Sequence, residues 1–349
     1  QVGSRISEET AQKIRGFIQG NAISGIHLEP AAMRTYPFGT LAAQVIGFTN
    51  LSGQGSEGVE AAYDSFLSGK TGKVITTKGN NEMDMPFSYE NYVSSRQGDS
   101  VILTLDATVQ ACLEKQLSAA IARYDVQNGA FGLVMNCKTG EILAMANLGR
   151  AGTEGAFYER ENYALGRSME PGSTFKLATM LTLLDDADMS PQTAYDTHNG
   201  DPVTVGPAKN IRDSHRGDHV IDFRRAVASS SNVYFAKAIW ERYGITGKKQ
   251  EYSDFLHEKL RLGQTVGLER LGERAPSITT DWKVPDPGVM LVKMSYGYRV
   301  RLAPIQMITF YNAIANGGKM ISPVLVRELR RGDRVEERFE SRTLASSIC

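Results

Sequence analysis

Three kinds of hydrophobic patterning follow one another along the chain. From Ala107 to Tyr124 the apolar positions Val109, Leu113, Leu117 and Ile121 recur at helical spacing, which predicts an amphipathic helix with one buried stripe. Shorter runs flank it: VILTLD at 101–106, AFGLVMN at 130–136 and EILAMANL at 141–148. They read as strands, and the turn CKTG between the last two predicts a hairpin. The segment Thr174–Asp185 differs again. Phe175, Leu177, Met180, Leu181, Leu183 and Leu184 cover nearly its whole circumference, so the pattern predicts a helix buried on all sides. A helical pair follows over about Asp222–Tyr243, broken at SSSN, residues 229–232.

The N-terminal part is less regular. Residues 5–20 predict a short helix closed by Gly20. From Gly25 to Lys78 the chain is rich in Gly and β-formers, with a glycine-punctuated loop GQGSEG, a helix VEAAYDSFLSG and a strand KVITT. The polar stretch Asn80–Gly98 reads as a linker or exposed hairpin. The 349 residues therefore divide into a small mixed α+β unit with linker, 1–98, and a larger unit, 99–349. Hairpin-joined strands with helices packed beside them argue an α+β fold rather than a βαβ array.

Charge removes some functions. Lys+Arg and Asp+Glu both number 39, which argues against nucleic acid as a main partner and leaves room only for a local basic patch. No apolar run reaches 18 residues, so none of this sequence reads as membrane-spanning. Gln1 is not a natural start, and further residues are expected before it. Cys112, Cys137 and Cys349 are odd in number and widely spaced, and the five His residues form no metal-ligand pattern. No disulfide framework, metal or cofactor is expected.

The candidate chemistry lies in EPGSTFK, residues 170–176, at the mouth of the all-apolar helix. Residues three apart share a helix face, so Ser173 and Lys176 are neighbours. A serine hydroxyl needs a base to become a nucleophile. A lysine is such a base only when burial or a positive helix end makes it neutral. An N-capping serine with a snorkelling lysine is the plainer reading of the pair, but a lysine inside an all-apolar helix has no wet face to reach. The interruption SSSN offers a partner. Ser230 there can relay a proton and Asn232 can hold the lysine or a substrate amide, while Ser231 or Asn232 as a helix cap is the structural alternative.

These motifs resemble the signature of the class B, monofunctional penicillin-binding proteins, the peptidoglycan D,D-transpeptidases. EPGSTFK is similar to their active-site motif and Ser230-Ser231-Asn232 to their second. The resemblance extends to RTYPFGTLAAQVIGFTN and GSEGVEAAYDSFLSGKTGK in the pedestal, to GLVMNCKTGEILAMANL, and to SYGYRVRLAPIQMITFYNAIANGGKMISPVLV. IRDSHRG before SSSN points to the septal, cell-division branch.

The resemblance implies a transpeptidase domain of the serine β-lactamase-like type, an antiparallel sheet flanked by helices, behind a pedestal or dimerisation-like domain. It implies Ser173 as nucleophile, Lys176 as general base, Ser230 as proton relay and Asn232 as positioning residue. The substrates implied are peptidoglycan stem peptides ending in D-Ala-D-Ala, with β-lactams as inhibitors. The partners implied are a polytopic membrane glycan polymerase and other proteins of division or elongation. The place implied is the cell inner membrane, with one spanning segment outside this sequence and the catalytic domain beyond the cytoplasm. The alternatives are a non-catalytic scaffold of the same fold, or a β-lactamase or penicillin-sensing domain. The family's third motif, Lys-Thr-Gly, follows Ser-x-Asn. Here Lys-Thr-Gly stands only at 70–72 and 138–140, before Ser173, and both copies read as turns. The transpeptidase domain is therefore expected to be truncated at its C-terminus and to react slowly by itself. The path from Leu148 to Glu170 is also expected to be shorter than the family's.

Overall fold

The computed structural model describes residues 6–21, 23, 25, 26, 28, 34–50, 52–70, 73, 74, 92, 93, 96–151 and 156–349. Helix α1 (Glu8–Gly20) begins where the Ser7 hydroxyl accepts the Thr10 amide at 3.2 Å, with Glu8 and Glu9 in the positive first turn. Despite its β-formers, the segment that follows makes turns and short helices: α2 (Ala43–Ile46), α3 (Gly58–Ala62) and α4 (Asp64–Leu67). The chain doubles back here through a contact only glycine allows. A Cβ on Gly47 would lie 1.7 Å from the Glu57 carbonyl, and one on Gly58 2.5 Å from that of Val45. The expected helix VEAAYDSFLSG is split at Tyr63, whose backbone leaves helical geometry at φ −120°. Strands β1 (Lys73–Val74) and β2 (Tyr92–Val93) pair antiparallel. The rest of KVITT and most of Asn80–Gly98 lie outside the described residues.

Strand β3 (Ser100–Leu103) leads into α5 (Ala107–Arg123), capped by Asp106, whose carboxylate accepts the Thr108 and Val109 amides at 2.8 and 3.0 Å. The hairpin forms as the pattern predicts, β4 (Gly129–Met135) pairing antiparallel with β5 (Ile142–Ala151), and β6 (Ala156–Glu159) adds a third strand. Gln110, buried on α5, brackets Met145 of β5, accepting its amide at 2.7 Å and donating to its carbonyl at 3.0 Å. The helix is thereby bolted to the sheet. A turn of helix, α6 (Tyr163–Gly166), precedes the stretch EPGSTFK.

The all-apolar segment is one continuous helical run. A 3₁₀ turn at Gly172–Phe175 enters α7 (Lys176–Leu181), and a π-turn at Thr182–Asp186 ends it. Strand β7 (Ala194–Asp196) pairs with β10 (Val220–Asp222), enclosing the hairpin β8 (Val203–Val205)–β9 (Ala208–Ile211). The predicted helical pair is α8 (Phe223–Ser229) and α9 (Asn232–Ile239), with the break where SSSN stands. Helices α10 (Lys249–Asp254), α11 (Pro287–Met294) and α12 (Pro304–Ala315) complete the helical body, the last two opening on a proline at the position where its missing N–H costs nothing. Phe175, Ala178 and Leu183 pack there against Tyr234, Phe235, Leu291, Met294 and Phe310. At the C-terminal end β11 (Met320–Ile321) pairs with β14 (Thr343–Ala345). The hairpin β12 (Val326–Arg331)–β13 (Arg334–Arg338) pairs with β3, so distant parts of the chain share one three-stranded sheet. All these strand pairs are antiparallel, as the α+β reading requires.

The N-terminal segment packs on the rest of the chain through two carboxylates. Glu114 of α5 accepts the Ala42 amide at 2.8 Å and Glu159 of β6 accepts the Gln44 amide at 3.2 Å. Arg270 adds a bond to the Ala62 carbonyl at 2.8 Å and stacks over Tyr63. Burial pushes the Glu159 carboxyl up to about 7, against the pull of the Asn147 and Gln44 amides, and the nearby Glu114 charge adds to the rise. A carboxyl with its pKa raised on folding favours the folded state most below its ordinary value of 4.5, and that advantage is lost as pH rises through about 7. Raising the pH from 5 to 8 should therefore destabilise the protein by roughly 1–3 kcal/mol through this group. Thermal melts of the parent and of Glu159→Gln across that range test it: the difference between them should change with pH, and a constant difference would contradict the assignment.

Candidate active site

The helix mouth is held open by a clasp from a distant segment. The Gly172 amide donates to the Gly297 carbonyl at 3.0 Å, and Gly297, at φ +85°, presses so close that a Cβ on it would lie 1.9 Å from the Gly172 oxygen. The Arg299 amide donates to Glu170 at 2.8 Å, the Tyr311 hydroxyl to the Thr174 carbonyl at 2.8 Å, and the buried Thr179 hydroxyl to the Ser295 carbonyl at 2.8 Å. The 3₁₀ turn then sets Ser173 and Lys176 on one face with opposite environments. Ser173 is exposed, whereas Lys176 retains only 4% of its surface.

The break between α8 and α9 supplies the other wall. Ser230 sits at φ 53°, ψ 44°, a left-handed conformation that costs a residue with a Cβ on the order of 1–3 kcal/mol. Asp213 accepts the Ser231 hydroxyl at 2.7 Å and the Val233 amide at 2.9 Å, and the Ser231 hydroxyl in turn accepts the Tyr234 amide at 3.0 Å. Ser231 is thus the helix cap, which leaves its neighbours free to face the cleft. The Asn232 side-chain amide donates to the Arg212 carbonyl at 2.9 Å, turning its oxygen towards Lys176.

All four residues singled out in the sequence meet at one atom. Lys176 Nζ lies 3.2 Å from Ser173 Oγ, 3.0 Å from Ser230 Oγ, 2.7 Å from Asn232 Oδ1 and 2.5 Å from the Ser230 carbonyl. An ammonium has three protons for these four oxygens. Ser173 holds the longest of the four contacts. Burial lowers the Lys176 pKa to about 8, and the charge of Asp213 opposes that fall. The Phe235 ring lies beneath the amine at 5.9 Å. The arrangement can raise the nucleophilicity of an exposed serine hydroxyl near neutral pH and pass its proton on through Ser230.

Asp213 was not singled out by sequence reasoning. It lies in IRDSHRG, and only its contacts reveal that it ties the Ser230–Asn232 turn to β9. The triplet Lys138-Thr139-Gly140 is the β4–β5 turn, shaped by Asn136, whose side chain accepts the Lys138 and Thr139 amides at 2.9 and 3.2 Å. Lys138 is spent on Asn316 at 2.9 Å. In the other triplet Lys70 bridges to Arg96, and Thr71 and Gly72 lie outside the described residues. No Lys-Ser/Thr-Gly follows Asn232 in the sequence.

Two substitutions test the clasp and the tie. Asp213→Ala leaves the buried Ser231 hydroxyl and the Val233 amide without their acceptor, which should cost about 2–4 kcal/mol in denaturant unfolding. Gly297→Ala forces the Gly172 carbonyl away and should lower the melting temperature by several degrees, on the order expected for a few kcal/mol. Melting at the parent temperature for either would show that the contact is dispensable.

The penicillin-binding protein transpeptidase domain family matches residues 130–345, and the penicillin-binding protein dimerisation domain family matches residues 1–103. Stage V sporulation protein D of Bacillus subtilis is 29% identical over 334 residues, 93% of this chain and 49% of that protein. The probable peptidoglycan D,D-transpeptidase PenA of Neisseria meningitidis is 29% identical over 326 residues, 90% of this chain and 53% of that one. The chain thus spans about half the length of these curated relatives. Penicillin-binding protein 2X of Streptococcus thermophilus shares the fold, with a TM-score of 0.73 at 21% identity over 98% of this chain and 51% of its own. With the transpeptidase family covering most of the chain and Ser173, Lys176, Ser230 and Asn232 converging on one amine, the chain belongs to the penicillin-binding protein transpeptidase family.

Proposed function

We propose that the protein is a serine-type peptidoglycan D,D-transpeptidase of the septal, class B kind, with a pedestal over 1–98 and a catalytic domain from 99 onwards. The observation that carries this reading is the buried Lys176 amine within hydrogen-bond reach of Ser173, Ser230 and Asn232. Ser173 Oγ attacks the penultimate carbonyl of a stem peptide ending in D-Ala-D-Ala while Lys176 takes its proton. The bond from that carbonyl carbon to the terminal D-Ala nitrogen breaks, and Ser230 delivers a proton to the leaving amine. An amine of a neighbouring stem peptide then attacks the acyl-enzyme, the Oγ–C bond breaks and Ser173 regains its proton. Asn232 positions Lys176 and the substrate amide. A β-lactam acylates the same serine.

The same reading places the catalytic domain outside the cytoplasm on the inner membrane, beside a polytopic glycan polymerase and other division proteins. Among the described residues no helix is long and apolar enough to cross a membrane, so anchorage rests on the family resemblance alone.

Fluorescent penicillin should label the full-length protein at Ser173 only, located by peptide mapping, and an adduct on any other residue would overturn the reading. Lys176→Ala should slow acylation by roughly 10²–10⁴-fold, the contribution of a positioned general base. In the parent the acylation rate should climb with pH as the ammonium loses its proton and level off above about 8. A flat profile between pH 6 and 9 would remove Lys176 from the base role.

A further inference from the structure

Asn232 has a second neighbourhood. Beyond it, between the hairpin β8–β9 and the C-terminal end of α11, opens a cleft of about 580 Å³. Lys209 and Arg212 of the hairpin stand on one side, and Lys293, Tyr296 and Tyr298 on the other. Lys293 is half-buried, and Lys209 and Arg212 are exposed. Among the described residues none of the three cations has a carboxylate at ion-pair distance. The one acid on the lining, Asp213, has both oxygens committed to Ser231 and to the Val233 amide. The chain as a whole is charge-balanced, so three cations against one carboxylate around one concavity are a local excess of positive charge. Tyr296 and Tyr298, edge to face with centroids 5.6 Å apart, give the cleft an aromatic flank.

A cleft lined by Lys and Arg attracts an anion, and the planar guanidinium of Arg212 suits a carboxylate. The aromatic flank suits the aliphatic and amide parts of a peptide. The wall is continuous with the reacting centre, because Asn232 Oδ1 holds Lys176 while its amide holds the Arg212 carbonyl. We propose that this cleft is a subsite for a carboxylate carried by the peptide substrate away from the reacting bond, with Lys293 and Arg212 as its recognition groups. The proposal rests on the transpeptidase reading above and adds to it a selection for acidic over amidated stem peptides.

Two acetylated pentapeptides ending in D-Ala-D-Ala, identical except that their internal side carboxylates are free in one and amidated in the other, separate the possibilities. Their binding to the full chain at low ionic strength is followed by calorimetry. The free-carboxylate peptide should bind about tenfold or more tightly, the scale of one hydrogen bond to a charged group, and added salt should shrink the difference. Lys293→Gln with Arg212→Gln should erase the preference, and Lys293→Arg should keep it. Equal affinities in the parent, or a preference that survives the double substitution, would overturn the subsite. Penicillin labelling of Ser173 in the parent is measured alongside. If labelling occurs without a carboxylate preference, only the subsite fails. If the parent cannot be labelled at Ser173, the transpeptidase reading itself falls.

Discussion

An amine on a four-carbon stem, taken out of water inside an apolar helix, sets the terms for everything around it. Burying an unpaired ammonium costs several kcal/mol or more. Lys176 avoids most of that cost by meeting four oxygens, three of them from the single turn between α8 and α9. Burial and the Asp213 charge pull its protonation in opposite directions, and their balance leaves the pKa near 8. A fully apolar pocket would lower it further, whereas an open one would leave the amine charged through the neutral range. The position of Lys176 between those limits is a property of the packing of α7 against α9, not of the helix that carries it.

The serine needs the reverse treatment. It stays exposed because the chain before it is pinned from outside rather than buried. The Gly172–Gly297 contact, Glu170 on the Arg299 amide and Tyr311 on Thr174 hold the helix mouth in place. The strained Ser230 backbone serves the same end on the facing wall, since a left-handed residue there turns both its carbonyl and its hydroxyl towards one atom. Asp213 makes that strain sustainable by fixing the residues on its C-terminal side. The carboxylate is thus both a structural tie and a charge felt by the Lys176 amine. Its hairpin also carries two of the three cations that line the neighbouring cleft.

Much of this was readable from residues close in sequence. Helical spacing marked α5, and the run of apolar residues on every side marked the buried helix behind Ser173, because both follow from how side chains project along one element. Ser173 and Lys176 are one helical turn apart, so their meeting is local geometry. The break at SSSN was likewise legible: Ser231 caps α9 while Ser230 and Asn232 turn to Lys176. What local pattern could not convey lies in contacts between distant segments. The β-formers of residues 34–50 gave way to turns and short helices, since a glycine-only approach between Gly47 and residues 57–58 folds the chain back on itself. The roles of Asp213, of Glu159 beneath the pedestal, and of Lys293 facing Lys209 and Arg212 depend on which segments lie side by side. Charge and hydrogen-bond partners fall off over a few ångströms in space, whatever the separation along the chain. The sequence by itself therefore determined the pairing of Ser173 with Lys176 and the elements that carry them. Only the tertiary structure decided the protonation of the Lys176 amine, the strain that aims its partners and the charge of the cleft beside it, because each is set by groups brought together from far apart in the chain.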